Sequence, residues 1–173
     1  LGAIIGREYD GRVKYLMNDL LMNLKGMAPL GIPINKLGGQ ARNLPKLINE
    51  VYESENQMLV FPAGLCSRKI DGKIQDIEWG KSFVTKSRQI GRDIIPIHFE
   101  GENSKRFYNV ASWQKKLGLK FNFAMMLLPD EMFKSMGRKY RISFGKPIPV
   151  SSLDKSKSDH EWAQVIRAKA YEL

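Results

Sequence analysis

A helical pattern of apolar residues lies between two short apolar runs in the first half of the chain. The runs at 30–35 and 57–61 have the length and composition of strands. Between them, apolar side chains recur at helical spacing over 40–55, at Ala41, Leu44, Leu47, Ile48, Val51 and Tyr52. Because a helix between two strands can connect them in parallel, this segment predicts an α/β fold.

The rest of the chain continues the alternation of strand and helix patterns. We predict further strands at 13–17, 93–99, 121–128 and 140–144, and further helices at 19–25, 76–90, 105–117, from Pro129 onward and at 159–173. The 93–99 run is almost wholly apolar, as in a strand covered on both faces. We therefore expect one α/β domain with a mixed, largely parallel sheet flanked by helices.

Three local features refine this prediction. Pro33 has no backbone N–H, so it indicates an edge strand or a bulge. Asp71-Gly72 separates two short strand patterns and is typical of a hairpin turn, in which both central residues have positive φ. Asp76 is placed to cap the helix predicted at 76–90, since its side chain can accept a hydrogen bond from the first turn.

The length and charge of the chain limit the classes of partner. A chain of 173 residues suits one domain with a real core. A formal net charge of +10 and a pI near 9.7 favour an acidic partner. The candidates are anionic lipid headgroups, acyl carrier protein, nucleotide phosphates and nucleic acid. Nucleic acid is disfavoured, because the aromatic side chains fall on predicted core faces rather than in an exposed stacking array.

Cysteine content and hydropathy limit the environment. A single cysteine, Cys66, excludes an internal disulfide and a cysteine-based zinc cluster, which fits a reducing compartment. No apolar run approaches the roughly 18 residues that a membrane-spanning helix needs. We therefore expect no metal, a cytoplasmic location, and a peripheral contact with the inner face of the cytoplasmic membrane.

The run 59–68, Leu-Val-Phe-Pro-Ala-Gly-Leu-Cys-Ser-Arg, carries the strongest functional signal. An apolar strand leads into a Pro-x-Gly turn, so backbone amides meet the Ser67 hydroxyl and the cations of Arg68 and Lys69 at the carboxyl end of the strand. This arrangement predicts a docking site for an anion or an acyl carrier. A plain strand-turn-hairpin would need only Pro62 and Gly64, and it remains the alternative on local grounds.

This run resembles the Phe-Pro-Glu-Gly-Thr-Arg-Ser block of the glycerolipid acyltransferase superfamily of the 1-acylglycerol-3-phosphate type. Members of that superfamily move a fatty acyl group from coenzyme A or acyl carrier protein to a lipid precursor. Two further blocks occur in the family's order. Residues 30–36, ending in Lys36, are similar to the block that binds the acceptor's phosphate, and residues 94–97 are similar to an apolar block with an internal proline.

The resemblance also implies a catalytic His-x-x-x-x-Asp motif, in which the histidine takes the proton of the attacking hydroxyl or amine. The two histidines of this chain, His98 and His160, lack an aspartate at that spacing. The motif is therefore expected upstream of Leu1, and residues 1–173 are expected to be one acyltransferase domain that lacks its N-terminal part. No catalytic residue is assigned within the chain.

The departures from the family pattern indicate a branch. Ala63 and Cys66 stand where the family has Glu and Arg, which removes the groups that hold a glycerol phosphate. With Asn103-Ser104 and Phe107-Tyr108, the chain looks like the hemolysin-like and ornithine-lipid branch of bacterial acyltransferases, which acylates aminolipid precursors. The implied partners are acyl-CoA or acyl carrier protein as co-substrate and a lipid acceptor, with no other cofactor. The implied substrate-binding residues are Lys36, Phe61, Pro62, Ala63, Gly64, Ser67, Arg68, Lys69, His98, Asn103 and Ser104.

Several alternatives stay open on the sequence. The chain as a whole could be a noncatalytic basic module that binds membrane, carrier protein or nucleic acid. His98 fits a structural hydrogen-bonding histidine better than a residue that lines the site. The 100–104 loop fits a solvated loop as well as an acceptor pocket. For residues 125–128 and 132–133, core packing is favoured over contact with acyl chains or lipid.

Overall fold

The computed structural model describes residues 1–18, 22–23, 26, 28–34, 42–119 and 121–173. Two sequence predictions lie largely or wholly outside the described residues. These are the helical turn at 19–25 and the position of Lys36.

The centre of the fold is a three-stranded parallel sheet. Strands β1 (Val13–Asn18), β2 (Gly31–Ile34) and β3 (Gln57–Leu59) run in the order β2-β1-β3. Tyr15 of β1 lies opposite both Gly31 and Leu59. The α/β class and the parallel sheet are confirmed. Pro33 lies on the edge strand β2, where its missing N–H is tolerated.

Two helices flank this sheet in sequence. Helix α1 (Gly2–Glu8) precedes β1, and α2 (Leu44–Glu53) connects β2 to β3. Helix α2 is shorter than the predicted 40–55 because Pro45 must lie in the first turn of a helix. Near the C-terminal end of α2, Arg92 Nη1 donates to the carbonyls of Tyr52 and Asn56, at 3.1 and 2.9 Å. These two hydrogen bonds hold the α2–β3 connection against the loop that contains Arg92.

The predicted hairpin is confirmed. Strands β4 (Arg68–Ile70) and β5 (Lys73–Gln75) pair antiparallel. Asp71 and Gly72 have φ values of 49° and 81°, the left-handed values that a two-residue turn of this type requires.

Helix α3 (Ser82–Ile90) begins later than predicted, and the assignment of Asp76 as its cap is wrong. Side chains of the C-terminal helix α6 (Asp159–Tyr171) bind the 76–79 segment instead. The Asp76 amide donates to the Tyr171 hydroxyl at 2.8 Å, and Gln164 both donates to and accepts from the backbone of Trp79. Because these bonds satisfy the backbone of the segment, it stays irregular.

Helices α3 and α6 pack together to form one core cluster. It contains Trp79, Phe83, Val84, Ile148, Leu153, Ala163, Ile166 and Ala170. Helix α6 begins with a capping box, in which Ser158 and Glu161 exchange side-chain and backbone hydrogen bonds. The half-buried ion pair of Arg88 with Asp159 joins the two helices.

An antiparallel pair, β6 (Ile97–Glu100) with β7 (Arg141–Phe144), stands apart from the parallel sheet. The strand predicted at 93–99 begins only at Ile97, because Pro96 interrupts the pairing that the Ile94–Ile148 bridge starts. The expectation that both faces of this strand are covered is wrong, since Phe99 is 46% exposed. Ile97 packs against the β1 cluster and connects the ribbon to the sheet.

The remaining unit consists of α4 (Lys105–Lys116), a 3-10 turn (Phe123–Leu127) and α5 (Leu128–Ser135). The strand predicted at 121–128 is wrong. Gln114 of α4 accepts a hydrogen bond from the Ala124 amide and donates to the Asn122 side chain, which holds the segment as a turn against α4. Helix α5 begins as predicted, with Pro129 in its first turn. The cluster inside this unit is Phe107, Tyr108, Ala111 and Ala124.

The hairpin turn supplies a test of the fold. A Cβ at Gly72 would meet no atom within 4 Å, so Gly72→Ala introduces backbone strain alone. We expect a loss of about 1 kcal/mol in the free energy of unfolding, measured by urea denaturation. Asp71→Asn is the control, because asparagine tolerates left-handed φ. A Gly72→Ala protein as stable as the control would contradict the turn geometry.

Candidate active site

The site begins at the turn that follows β3. The Gly64 amide donates to the Phe61 carbonyl at 3.0 Å, and Gly64 has a φ of 65°, a conformation that favours glycine. The Gly80 amide donates to the Pro62 carbonyl at 3.0 Å, and a Cβ at Gly80 would lie 3.4 Å from the same oxygen. The turn is therefore seated on the segment before α3 by a close backbone contact.

The side chains of this turn divide into inner and outer ones. Ala63 packs against the α3–α6 cluster, and Pro62 is half-buried. Phe61 is 58% exposed beside them. Phe61 therefore offers an apolar surface next to the polar residues that follow, which suits contact with an acyl chain or the thioester arm of a donor.

A hydroxyl of α4 joins two of the predicted site segments. The Tyr108 Oη lies 3.0 Å from Ser67 Oγ and accepts a hydrogen bond from the Asn103 amide at 3.1 Å. Ser67 and Asn103 are 36 positions apart in the sequence. The structure thus brings both predicted residues to one place, and it does so through a side chain that was not among the assigned site residues.

Arg68 lies beside this hydroxyl pair and is held in a defined position. Its Nη1 donates to the carbonyls of Cys66 and Ser67 at 2.7 and 3.0 Å, and its guanidinium carbon lies 5.5 Å from the centre of the Phe107 ring. Among the described residues, no carboxylate forms an ion pair with Arg68. A half-buried cation without a counter-charge, fixed by backbone and ring contacts, is suited to bind an anion.

Lys69 follows on the exposed side of β4, since successive strand residues point to opposite faces. It forms no ion pair with any residue that the structure describes. The two consecutive cations therefore place positive potential on both faces of the hairpin next to the turn.

Ser104 caps α4 and is tied to α5. Its Oγ accepts a hydrogen bond from the Phe107 amide and donates to Glu131 Oε1, while its own amide donates to Glu131 Oε2. Glu131 is 7% exposed. Ser104 therefore has a structural role at the start of α4, and its assignment to substrate binding stays a prediction.

His98 lies on β6, opposite Ser143, with its ring 5.3 Å from that of Tyr171. The Tyr171 hydroxyl is the group that accepts from Asp76, just after the β4–β5 hairpin. Burial raises the pKa of the Tyr171 phenol above its ordinary value, and the hydrogen bond from the Asp76 amide acts in the opposite direction. In the described residues, no hydrogen bond joins His98 to the Tyr108 hydroxyl or its partners.

The second histidine of the chain, His160, is exposed on α6. Its Nε2 lies 2.9 Å from Glu78 Oε1. Tyr108 was considered on the sequence, with Phe107, as part of an acceptor pocket beside the 100–104 loop, but it was not among the assigned substrate-binding residues. Its signal was an aromatic side chain with a polar tip.

Two further features, a metal-binding cluster and a membrane-spanning helix, are absent from the described residues. The described part of the chain holds no group of three histidine, cysteine or acidic side chains arranged to bind a metal ion. Across 1–18, 22–23, 26, 28–34, 42–119 and 121–173, no helix combines the length and the apolar character needed to cross a bilayer.

Comparison with known proteins gives the class of the chain. Residues 2–173 match the family model described as acyltransferase, and the chain belongs to that family. It is 53% identical over 173 residues to the lyso-glycine lipid O-acyltransferase of Bacteroides thetaiotaomicron and 52% identical to the protein of that name in Phocaeicola vulgatus. All of the chain is covered in both cases, against 64% and 62% of the relatives. No solved structure matches it.

These findings confirm the resemblance to bacterial lipid acyltransferases that the sequence blocks carry. The chain spans less than two thirds of the length of the two relatives. The roles of individual residues in the site remain predictions.

The Tyr108 hydroxyl can be tested directly. Tyr108→Phe leaves the half-buried Asn103 amide without its acceptor, so we expect a loss of about 1 kcal/mol in the free energy of unfolding. Tyr140→Phe is the matched control, because the Tyr140 hydroxyl bonds no described residue and its ring only stacks on Phe99. Urea denaturation of both variants of the full-length protein measures the difference. Equal stability of the two variants would show that the hydroxyl does not join these segments.

Proposed function

We propose that the whole protein transfers a fatty acyl group from a thioester of acyl carrier protein or coenzyme A to a hydroxyl of a lyso-aminolipid of the glycine-lipid type. The observation that carries this proposal is the 53% identity, over the entire chain, to a lyso-glycine lipid O-acyltransferase. The family match over 2–173 supports the same reaction class.

The chemistry requires a base and an anion site. The acceptor oxygen attacks the thioester carbonyl, a carbon–oxygen bond forms, the carbon–sulfur bond breaks, and the thiolate takes up a proton as it leaves. The hydroxyl proton passes to a general base. We assign that role to a His-x-x-x-x-Asp motif upstream of Leu1, because neither His98 nor His160 has the required aspartate.

The described residues supply binding and orientation in this scheme. Arg68 holds an anionic group of the donor or of the acceptor, and Lys69 adds attraction at longer range. The exposed Phe61 ring contacts the apolar part of a substrate. Asn103 and Ser67 present polar groups around the Tyr108 hydroxyl.

Charge and packing at the turn support the proposed acceptor. Glycine linked through its nitrogen keeps a carboxylate, which is a smaller anion than the phosphate of a glycerol phosphate. Ala63 and Cys66 provide neither the carboxylate nor the extra cation of the glycerol-phosphate type. One fixed cation, Arg68, matches one carboxylate.

We place the protein at the inner face of the cytoplasmic membrane, as a peripheral protein.

An acceptor comparison tests this proposal. We expect the full-length protein to acylate a lyso-glycine lipid at least about tenfold faster than glycerol 3-phosphate or lysophosphatidic acid, since a site that lacks the partners of a phosphate discriminates against it. Acyl carrier protein and coenzyme A donors with the same acyl chain are compared by thioester consumption. Faster turnover of a phosphate acceptor would overturn the acceptor assignment. Absence of turnover with every pair would favour the noncatalytic binding module.

A second experiment tests the anion site. Because a hydrogen bond to a charged group contributes about 1.5–3 kcal/mol, Arg68→Ala should lower kcat/KM by about tenfold or more. Lys73→Ala is the matched control, since Lys73 is an exposed cation on the same hairpin with no ion pair to a described residue. The thermal unfolding of both variants is recorded, because Arg68 also bonds its own turn. Unchanged kinetics in a folded Arg68→Ala protein would contradict the role, and the substrate whose KM rises identifies the bound anion.

A further inference from the structure

An apolar surface covers the unit formed by α4, the 3-10 turn and α5. Of the twenty exposed large hydrophobic side chains among the described residues, eleven lie between positions 113 and 140. They are Trp113, Leu117, Leu119, Phe121, Phe123, Met125, Met126, Met132, Phe133, Met136 and Tyr140. We call this set the 113–140 apolar surface. The prediction that Met125, Met126, Met132 and Phe133 pack in the core is wrong.

In helix α5, the apolar side chains are exposed because the helix turns its charged residue inward and its apolar residues outward. Its inward side carries the charged residue Glu131, which is 7% exposed and bonded to Ser104. Its outward side carries Met132 and Phe133, at 59% and 64% exposure. A helix in contact with water alone has the reverse arrangement, with charges outside and apolar residues inside.

Helix α4 has the same property at its C-terminal end. Phe107, Tyr108 and Ala111 face the core of the unit, whereas Trp113 is 66% exposed. Gln114 binds the 3-10 turn on the inner side, where Ala124 is buried, whereas Phe123, Met125 and Met126 of the turn lie on the outside. The two helices and the turn therefore expose apolar groups as one connected unit.

The charged residues within this surface are mainly cations. Lys115, Lys116, Arg138 and Lys139 are exposed and form no ion pair with a described residue. Of the acidic residues between 113 and 140, Asp130 is bonded to Lys134 at 2.6 Å, and Glu131 is buried. The net charge presented around the apolar groups is therefore positive.

We propose that the 113–140 apolar surface docks on a lipid bilayer that carries anionic headgroups. Exposed apolar surface rimmed by cations is the pattern of an interfacial membrane contact. Trp113 and Tyr140 have rings with a polar atom, which suits the headgroup level, and the cations match anionic lipid. This proposal rests on the proposed function, because the acceptor of that reaction is itself a membrane lipid.

Vesicle binding of the full-length protein tests the surface. Sedimentation with vesicles of phosphatidylcholine alone and of phosphatidylcholine with phosphatidylglycerol should show binding that is stronger with the anionic lipid. The double variant Trp113→Ser, Phe133→Ser should bind about tenfold or more weakly, since two large side chains no longer leave water. The matched control is Ile95→Ser, Phe144→Ser, which removes two exposed apolar side chains elsewhere and should bind as the wild type does.

Acyl transfer measured on two forms of the acceptor separates this proposal from the proposed function. With the acceptor embedded in vesicles, the Trp113→Ser, Phe133→Ser protein should lose activity, whereas with a water-soluble short-chain acceptor it should match the wild type. Vesicle binding that is unaffected by this variant would overturn the docking surface, as expected if another part of the protein covers it. Vesicle binding without acyl transfer to any acceptor would uphold the surface and contradict the proposed function.

Discussion

The buried carboxylate of Glu131 fixes the unit on which the candidate site depends. A charged group taken out of water must keep its hydrogen bonds, and here both come from Ser104, through its amide and its hydroxyl. This requirement fixes the start of α4 against α5. Helix α4 then carries Phe107 under the Arg68 guanidinium and Tyr108 beside Ser67. The position of the proposed anion site thus depends on a carboxylate whose hydrogen bonds, among the described residues, all come from Ser104.

Ala63 shows how one departure from the family pattern is accommodated by packing. The residue is half-buried against the cluster that contains Trp79 and Phe83. A glutamate at this position would place a carboxylate next to apolar side chains, at a cost in desolvation. In this chain the position therefore packs against the core, and the proposed function assigns the binding of an anionic group to Arg68 and Lys69.

Short sequence patterns correctly predicted the elements that depend mainly on interactions between residues near one another in the sequence. The α2 helix, the Asp71-Gly72 hairpin and the Pro129 helix start each follow from side-chain spacing or turn chemistry. The segments at 76–81 and 121–128 were predicted wrongly, because residues distant in sequence or on another element, Gln164 and Gln114, supply their hydrogen bonds. Apolar spacing also gave no sign that the outward side of α5 would be apolar. For the candidate site, the 59–69 and 103–104 segments were assigned from sequence, whereas their connection through Tyr108 became visible only in the three-dimensional structure.

Helix α4 carries residues of both the candidate site and the 113–140 apolar surface. Tyr108 and Trp113 are five positions apart, about 7.5 Å along the axis of a helix at 1.5 Å per residue. On α5, Met132 and Phe133 directly follow Glu131, which is bonded to Ser104 at the start of α4. The proposed docking surface therefore reaches close to the candidate site along both helices. With that surface seated at the headgroup level, a lipid acceptor would present its hydroxyl to the site while most of its acyl chain stays in the hydrocarbon, so desolvation of that chain would add little to the activation barrier.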